Sequence, residues 1–256
     1  MSEDINNNSK NHGEHEDIFV LNLIHSLIHE ISHPLNGIQM NISNILADRI
    51  SMTDAKKRLQ DMDAMVEKIR RELRNFILLT NPNSNLVEKG QLSRISFDKF
   101  FKSLIKDFSP QANSKGLHFV LEADEQQTND LFEVDTSLLT LILGNILDNA
   151  IRYSYPKSNE NTHILINYKL TSLNLEIKVT NWGYPVMLEE ENKIFQMGYR
   201  GQNAMRYSPS GAGIGLFLVK KCVKVMNGEV HIKSIKNEFS IVLKLPKVVN
   251  EKSLDN

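Results

Sequence analysis

From Leu21 onward, apolar residues stand at Leu21, Ile24, Ile28, Ile31, Leu35, Ile38, Ile42 and Ile45, separated alternately by three and four positions. That spacing lines one stripe of an α-helix and reads as a heptad seam. A polar stretch over 48–54 interrupts it, with Thr53 or Asp54 as the candidate N-cap of a second helix. The second seam runs Leu59, Met62, Val66, Ile69, Leu73 and Phe76 and stops at Thr80-Asn81-Pro82, because proline cannot continue a helix. Two helices of about 25 to 30 residues joined by a short link predict an antiparallel hairpin over 18–82. A lone hairpin leaves its seam in water, so the pattern predicts a homodimer that closes a four-helix bundle.

Residues 81–91 are rich in Asn, Pro and Gly and lack periodicity, which places a domain boundary there. Beyond it the pattern changes. A helix is predicted over 97–108, a strand over 118–122, and a long apolar helix over 137–151 that carries polar Asn145, Asp148 and Asn149. Alternating strands follow over 164–170 and 173–180, the latter with Leu173, Leu175, Ile177 and Val179 on one face. A loop over 205–210 leads to a helix over 214–226 and a hairpin over 229–245, where Phe239, Ile241, Leu243 and Leu245 face one way. Mixed order of this kind predicts an α+β sandwich over 91–247, a mixed sheet with helices on one face. Residues 1–17 and 248–256 are expected to be flexible tails.

Composition narrows the function. The 256 residues are 41% hydrophobic and 24% charged, an ordinary globular balance that excludes wholly disordered classes. Thirty Lys and Arg against 31 Asp and Glu leave no net field to draw the chain onto nucleic acid or an anionic membrane. Cys222 is the single cysteine, so neither an intramolecular disulfide nor a thiolate zinc site is possible, which fits a cytoplasmic protein. The apolar stretch over 18–31 is broken by Asn22, His25, Ser26, His29 and Glu30, and no membrane span of the ~20 residues required is expected.

Within the first helix, His29-Glu30-Ile31-Ser32-His33 matches H-E-x-x-H, which on a helix can hold zinc beside a glutamate base. Pro34 follows the second histidine at once, and Asn36 and Gln39 stand where an extended zinc motif needs Gly and a third ligand. Pro34 carries another implication, since it orphans the Glu30 carbonyl and bends the helix beside His29. His29 lies one residue past seam position Ile28, at the bundle edge, where a bulky partner can reach it. An imidazole, ordinarily titrating near ~6.5, is mostly neutral at cytosolic pH and is then a nucleophile toward phosphorus. Glu30 can take the proton from the other ring nitrogen.

In the second half, Asn145 and Asn149 share a helix face four residues apart, and two amides on an apolar helix are costly without partners. Gly211-Ala212-Gly213-Ile214-Gly215-Leu216 opens a helix whose free N–H groups can receive phosphate. It lacks the last glycine of the dinucleotide fingerprint.

Together these segments resemble the two-component sensor histidine kinases, at family-like intervals over about 18 to 246. His29-Glu30-Ile31-Ser32-His33-Pro34-Leu35 is similar to the H-box, with His29 as phospho-acceptor. Asn145 through Ser154 resembles the N-box of the ATPase fold shared with gyrase, mismatch-repair and heat-shock ATPases. Ile194-Phe195 and Tyr199-Arg200-Gly201 resemble the F-box and the start of the ATP lid, and the glycine string resembles the G2 box. By that resemblance Asn149 coordinates Mg²⁺, Asn145 assists, Arg152 approaches phosphate and Tyr153 packs by the adenine. Asn181, Gly183, Arg200, Gly211, Gly213, Gly215 and Leu216 complete the implied nucleotide site. The implied activity is autophosphorylation of His29 from Mg-ATP, then transfer to an aspartate of a response regulator receiver domain docked on the lower half of the hairpin. With about 17 residues before the first helix, no sensor domain is expected there. The input would come from an upstream signalling partner, from the dimer, or from outside this chain.

Two segments depart from the family pattern, at Asn181 and Pro185 in one and at His33 in the other. Asn181-Trp182-Gly183-Tyr184-Pro185 stands where the G1 box usually reads Asp-x-Gly-x-Gly, and His33 stands where Thr or Asn usually positions water, which speaks against phosphatase activity. The alternatives are a histidine phosphotransferase with a degenerate nucleotide-binding domain and, from the H-E-x-x-H pattern, a zinc hydrolase. An amide accepts from the adenine amino group less strongly than a carboxylate. Asn181→Asp is therefore expected to tighten ATP binding several-fold in titration calorimetry, and an equal or weaker affinity would refute this.

Overall fold

The computed structural model describes residues 3–47, 51–80, 92–123, 131–155, 163–171, 173–208 and 211–247. The chain folds into two compact units. The expected boundary at 81–91 and the tail at 248–256 lie outside the described residues.

The first unit is a hairpin of α1 (Glu3–Leu46) and α2 (Met52–Thr80). The sequence predicts a tail through residue 17, but α1 begins at Glu3. Residues 3–17 hold no proline, and extending an existing helix adds a backbone bond per residue without a new nucleus. The α2 cap also differs from expectation. Ser51, rather than Thr53 or Asp54, is the capping side chain: its Oγ accepts from the Asp54 N–H at 3.1 Å and donates to the Asp54 carboxylate at 2.7 Å. Asp54 is three residues into the turn, so its own N–H is one of the orphans a cap must satisfy.

The seam splits into two heptad stripes. Ile31, Ile38 and Ile45 of α1, with Met62, Ile69 and Phe76 of α2, are half-buried, while Leu21, Ile28, Leu35 and Ile42, with Leu59, Val66 and Leu73, are exposed. Ile28 is 58% exposed and Leu59 55%. Gly37 faces α2, where a Cβ would sit 2.9 Å from the sulfur at the flexible end of the Met65 side chain. Buried Asn41 accepts from Arg58 at 2.9 Å, which ties the register of the pair.

The second unit contains two sheets and the remaining helices. A two-stranded antiparallel sheet pairs β1 (Leu92–Ser96) with β3 (Leu131–Asp135). The main sheet has the order β2-β4-β5-β7-β6, built from β2 (His118–Ala123), β4 (His163–Leu170), β5 (Asn174–Trp182), β6 (Glu229–Ile235) and β7 (Glu238–Pro246). Among the described residues only the β2–β4 pair of this sheet is parallel. Ile164, Ile166, Tyr168, Leu175, Ile177, Val179, Ile241, Leu243 and Leu245 are buried, a period of two that marks the core face. Leu173 falls before β5 and is exposed, because the turn that begins the strand carries it off the face.

On that face lie α3 (Phe97–Ser114), α4 (Thr136–Tyr153) and α6 (Gly215–Val225), each with buried residues along one side. α5 (Gln202–Tyr207) is a further short helix with no buried residue. Residues 205–210 read as a loop from sequence, yet Met205, Arg206 and Tyr207 belong to α5. A six-residue helix without an apolar stripe leaves no periodic signal to read. Cys222 is buried on α6, and burial pushes its thiol up to about 11, so it is a packing residue rather than a nucleophile.

An aromatic cluster of Phe97, Phe100, Phe101, Phe132 and Tyr168 joins α3 to β3 and β4, with Phe101 stacked on Tyr168 at 5.1 Å. The Tyr168 hydroxyl is buried with no hydrogen-bond partner among the described residues, and burial, then the Asp98 charge, push this phenol up. An unpartnered buried hydroxyl costs about 1–3 kcal/mol. Tyr168→Phe is expected to stabilise the domain by about 1 kcal/mol in thermal unfolding, and a fall in Tm would sink this.

Candidate nucleotide site

The site is built around α4. Asp135 caps it, accepting from the Leu138 N–H at 3.0 Å. At its other end the Lys115 ammonium donates to the carbonyls of Ile151 and Arg152 at 3.0 and 3.1 Å, matching a cation to the negative helix terminus. Gln111 donates to Asp148 at 3.0 Å. Ten buried apolar or glycine positions surround the helix, so Asn145 and Asn149 are set rigidly into one half-buried strip.

The glycine turn meets that strip. A Cβ on Gly215 would lie 3.1 Å from the Asn145 amide oxygen and 3.7 Å from the Asn149 amide nitrogen, so the first turn of α6 is packed against both amides. Asn145 also donates to the Leu141 carbonyl at 2.9 Å, which orients its oxygen toward the turn. Gly211 and Gly213 adopt φ of 127° and 68°, a region that L side chains rarely enter. Gly213 is further confined, because a Cβ there would strike the Gly198 and Tyr199 backbone at 2.7 Å. The amides of Gly215 and Leu216 are N-terminal helix donors with no intrahelical partner, a ready anion site.

The end of β5 forms a second wall. Asn181 is buried on the helix-facing side of the strand. Gly183 is required for backbone packing: a Cβ would lie 2.0 Å from the Tyr153 carbonyl, where the end of α4 bridges to this turn. Arg152 is paired with Asp148 at 3.4 Å, so the guanidinium is engaged on its own helix. Arg200 donates to the carbonyls of Ala204 and Ser208 and thereby closes α5. Tyr153 is half-buried beside the Gly183 contact.

Glu190, which the sequence does not single out, organises the segment leading into α5. Buried Glu190 accepts from the Gln202 N–H at 2.8 Å, the Tyr199 hydroxyl at 3.2 Å and the Met187 N–H at 3.3 Å. Gly201 fits beside it, since a Cβ would approach the carboxylate to 3.0 Å. Burial and then the Glu190 charge push the Tyr199 phenol up. Tyr184 is stacked on Tyr207 of α5, and burial, then Tyr207 and Tyr155, push its phenol up. A carboxylate among the glutamates of 189–191 carries no pattern of its own, so no sequence signal marks Glu190.

In the hairpin, His25, His29 and His33 are exposed, and neighbouring Glu30 is buried. α1 continues through Pro34, itself buried. Among the described residues no three His, Cys, Asp or Glu side chains are grouped as a metal centre needs.

Paired amides facing a glycine-rich helix N-terminus, beside a strand end that carries a buried amide, define an ATP-binding domain of the histidine kinase ATPase type. Residues 134–248 match the family described as histidine kinase-, DNA gyrase B-, and HSP90-like ATPase. Sensor protein VanSC of Enterococcus gallinarum is 26% identical over 231 residues, which are 89% of this chain and 61% of VanSC. Sensor histidine kinase HprS of Escherichia coli (strain K12) is 29% identical over 219 residues, 85% of this chain and 46% of HprS. The chain thus spans about half the length of the curated relatives it matches. The fold is shared with the histidine kinase AdeS of Acinetobacter baumannii, with a TM-score of 0.53 at 17% identity, covering 86% of this chain and 98% of that one. It is shared also with full-length ShkA, solved in complex with AMPPNP, at a TM-score of 0.57 and 17% identity over 88% of this chain and 45% of ShkA. Over most of its length the chain is similar to two-component sensor histidine kinases, and residues 134–248 carry the ATPase domain that the family model describes. Among the described residues no helix is long and apolar enough to cross a membrane.

Proposed function

We propose that this chain is a cytoplasmic ATP-dependent protein-histidine kinase that phosphorylates His29 and passes the phosphoryl group to an aspartate of a response regulator. The observation that carries the reading is the packing of Gly215 against Asn145 and Asn149, which aims free helix amides and two side-chain amides at one place. A nucleotide there would set its phosphates at the α6 N-terminus, with Asn181 on the adenine side. Asn149 offers an oxygen to Mg²⁺, which when bound with the nucleotide offsets phosphate charge. His29 Nε2 attacks the γ-phosphorus, the bond to the bridging oxygen breaks and ADP leaves. The exposure of His29 supports this role, and Glu30 beside it is the candidate for holding the ring proton. Asn181 and Pro185 favour a second reading, a phosphotransferase that no longer uses ATP.

The exposed heptad stripe supports a homodimer. Leu21, Ile28, Leu35 and Ile42 with Leu59, Val66 and Leu73 form an apolar band in water, and a second copy of the same band covers it in a four-helix bundle. Sedimentation equilibrium is expected to give a dimer at micromolar concentration, and a monomer with intact helices would count against the bundle.

The kinase is tested by incubation with γ-labelled ATP and Mg²⁺. Wild type is expected to acquire acid-labile, base-stable label and His29→Gln none. Label on both proteins would overturn the assignment of His29. Absence of label on wild type, with the phosphoryl group still accepted from a phosphorylated receiver domain, would favour the phosphotransferase.

A further inference from the structure

α5 is six residues long and buries none of them, so neither propensity nor a hydrophobic face accounts for its place. Its position is instead fixed by contacts to the turn after β5. The Tyr207 ring lies on the Tyr184 ring with centroids 3.5 Å apart and planes 8° from parallel. Tyr155 meets Tyr184 edge-on at 4.9 Å and 78°, which steadies the lower ring. One turn back along α5, the Asn203 amide donates to the Pro185 carbonyl at 2.8 Å. Tyr184 and Pro185 belong to the stretch where this chain departs from the Asp-x-Gly-x-Gly pattern. A glycine in place of Pro185 would leave that carbonyl on a freer backbone, whereas proline holds φ fixed.

We propose that Tyr184 and Tyr207, with Asn203 on the Pro185 carbonyl, form a latch that docks α5 on the β5 turn and positions the lid for nucleotide. Both are positioning residues, and the proposal rests on the reading of this domain as an ATP site. The entry to the segment is already clasped by Glu190 through the Gln202 N–H, so the latch fixes the end that the clasp does not reach. These contacts hold α5 on the turn through the protein's own side chains. Opening the latch lowers the binding-competent fraction and weakens apparent affinity in proportion. A ring stack and one partly exposed hydrogen bond together bias such an equilibrium by about tenfold.

The test uses the full chain with Tyr207→Ala and Tyr207→Phe, whose ring is exposed enough that neither threatens folding. Tyr207→Ala is expected to speed hydrogen exchange of amides 202–207 about tenfold and to weaken ATP binding several-fold in titration calorimetry. Tyr207→Phe keeps the ring and should match wild type in both. Tyr184→Ala should reproduce Tyr207→Ala, and the double variant should add little to either. Unchanged exchange in Tyr207→Ala overturns the latch, as does faster exchange with ATP affinity at or above wild type. Should wild type bind no ATP, the nucleotide reading fails on its own, and the exchange comparison alone decides the latch.

Discussion

The second unit depends on how closely the start of α6 can approach α4. Gly215 stands 3.1 Å, measured from the Cβ it lacks, from the Asn145 oxygen, so a side chain at this position would require the paired amides to give by a few tenths of an ångström. That approach requires α4 to be immobile. Its apolar residues seat it on the sheet, Asp135 satisfies its first turn, and Lys115 reaches from beyond α3 to satisfy its last. The amides of Asn145 and Asn149 then need no reorganisation to present themselves, which is what an electrostatic site needs from its scaffold.

The hairpin depends on a different balance. In one chain α1 and α2 cover one heptad stripe and leave the other in water, a division that follows from two helices having only one shared interface. An antiparallel pair alone buries too little to offset the ordering of two long helices. The buried Asn41–Arg58 bond and the Gly37–Met65 contact set register at some cost in apolar packing, a use of polarity known from coiled-coil seams.

Around the nucleotide site the departures from the family pattern are not scattered. Asn181 lies near the end of β5 and Pro185 in the turn after it, and that turn, through Tyr184 and the Pro185 carbonyl, is also the platform on which α5 rests. Arg152 and Arg200, which the resemblance assigns to the nucleotide, are engaged with Asp148 and with the α5 carbonyls. Gly183 is explained by the Tyr153 carbonyl against it.

Much of this was legible in one dimension. The alternation of three and four along α1 and α2, the apolar run of α4, and the period of two in β4, β5 and β7 each repeat often enough to fix an element and its buried face. The Asn145/Asn149 spacing and the glycine string marked the site because amides and glycines are costly where they stand unless used. β1, β3 and α5 were not legible, since each is too short to show a period and is stable only through its neighbours. The same holds for Ser51 as cap and Glu190 as clasp, whose roles depend on which backbone N–H groups the fold brings within about 3 Å. Periodicity is local and is written in the chain itself. Which carboxylate meets which amide, and which ring lies on which, is decided only when distant segments are packed together.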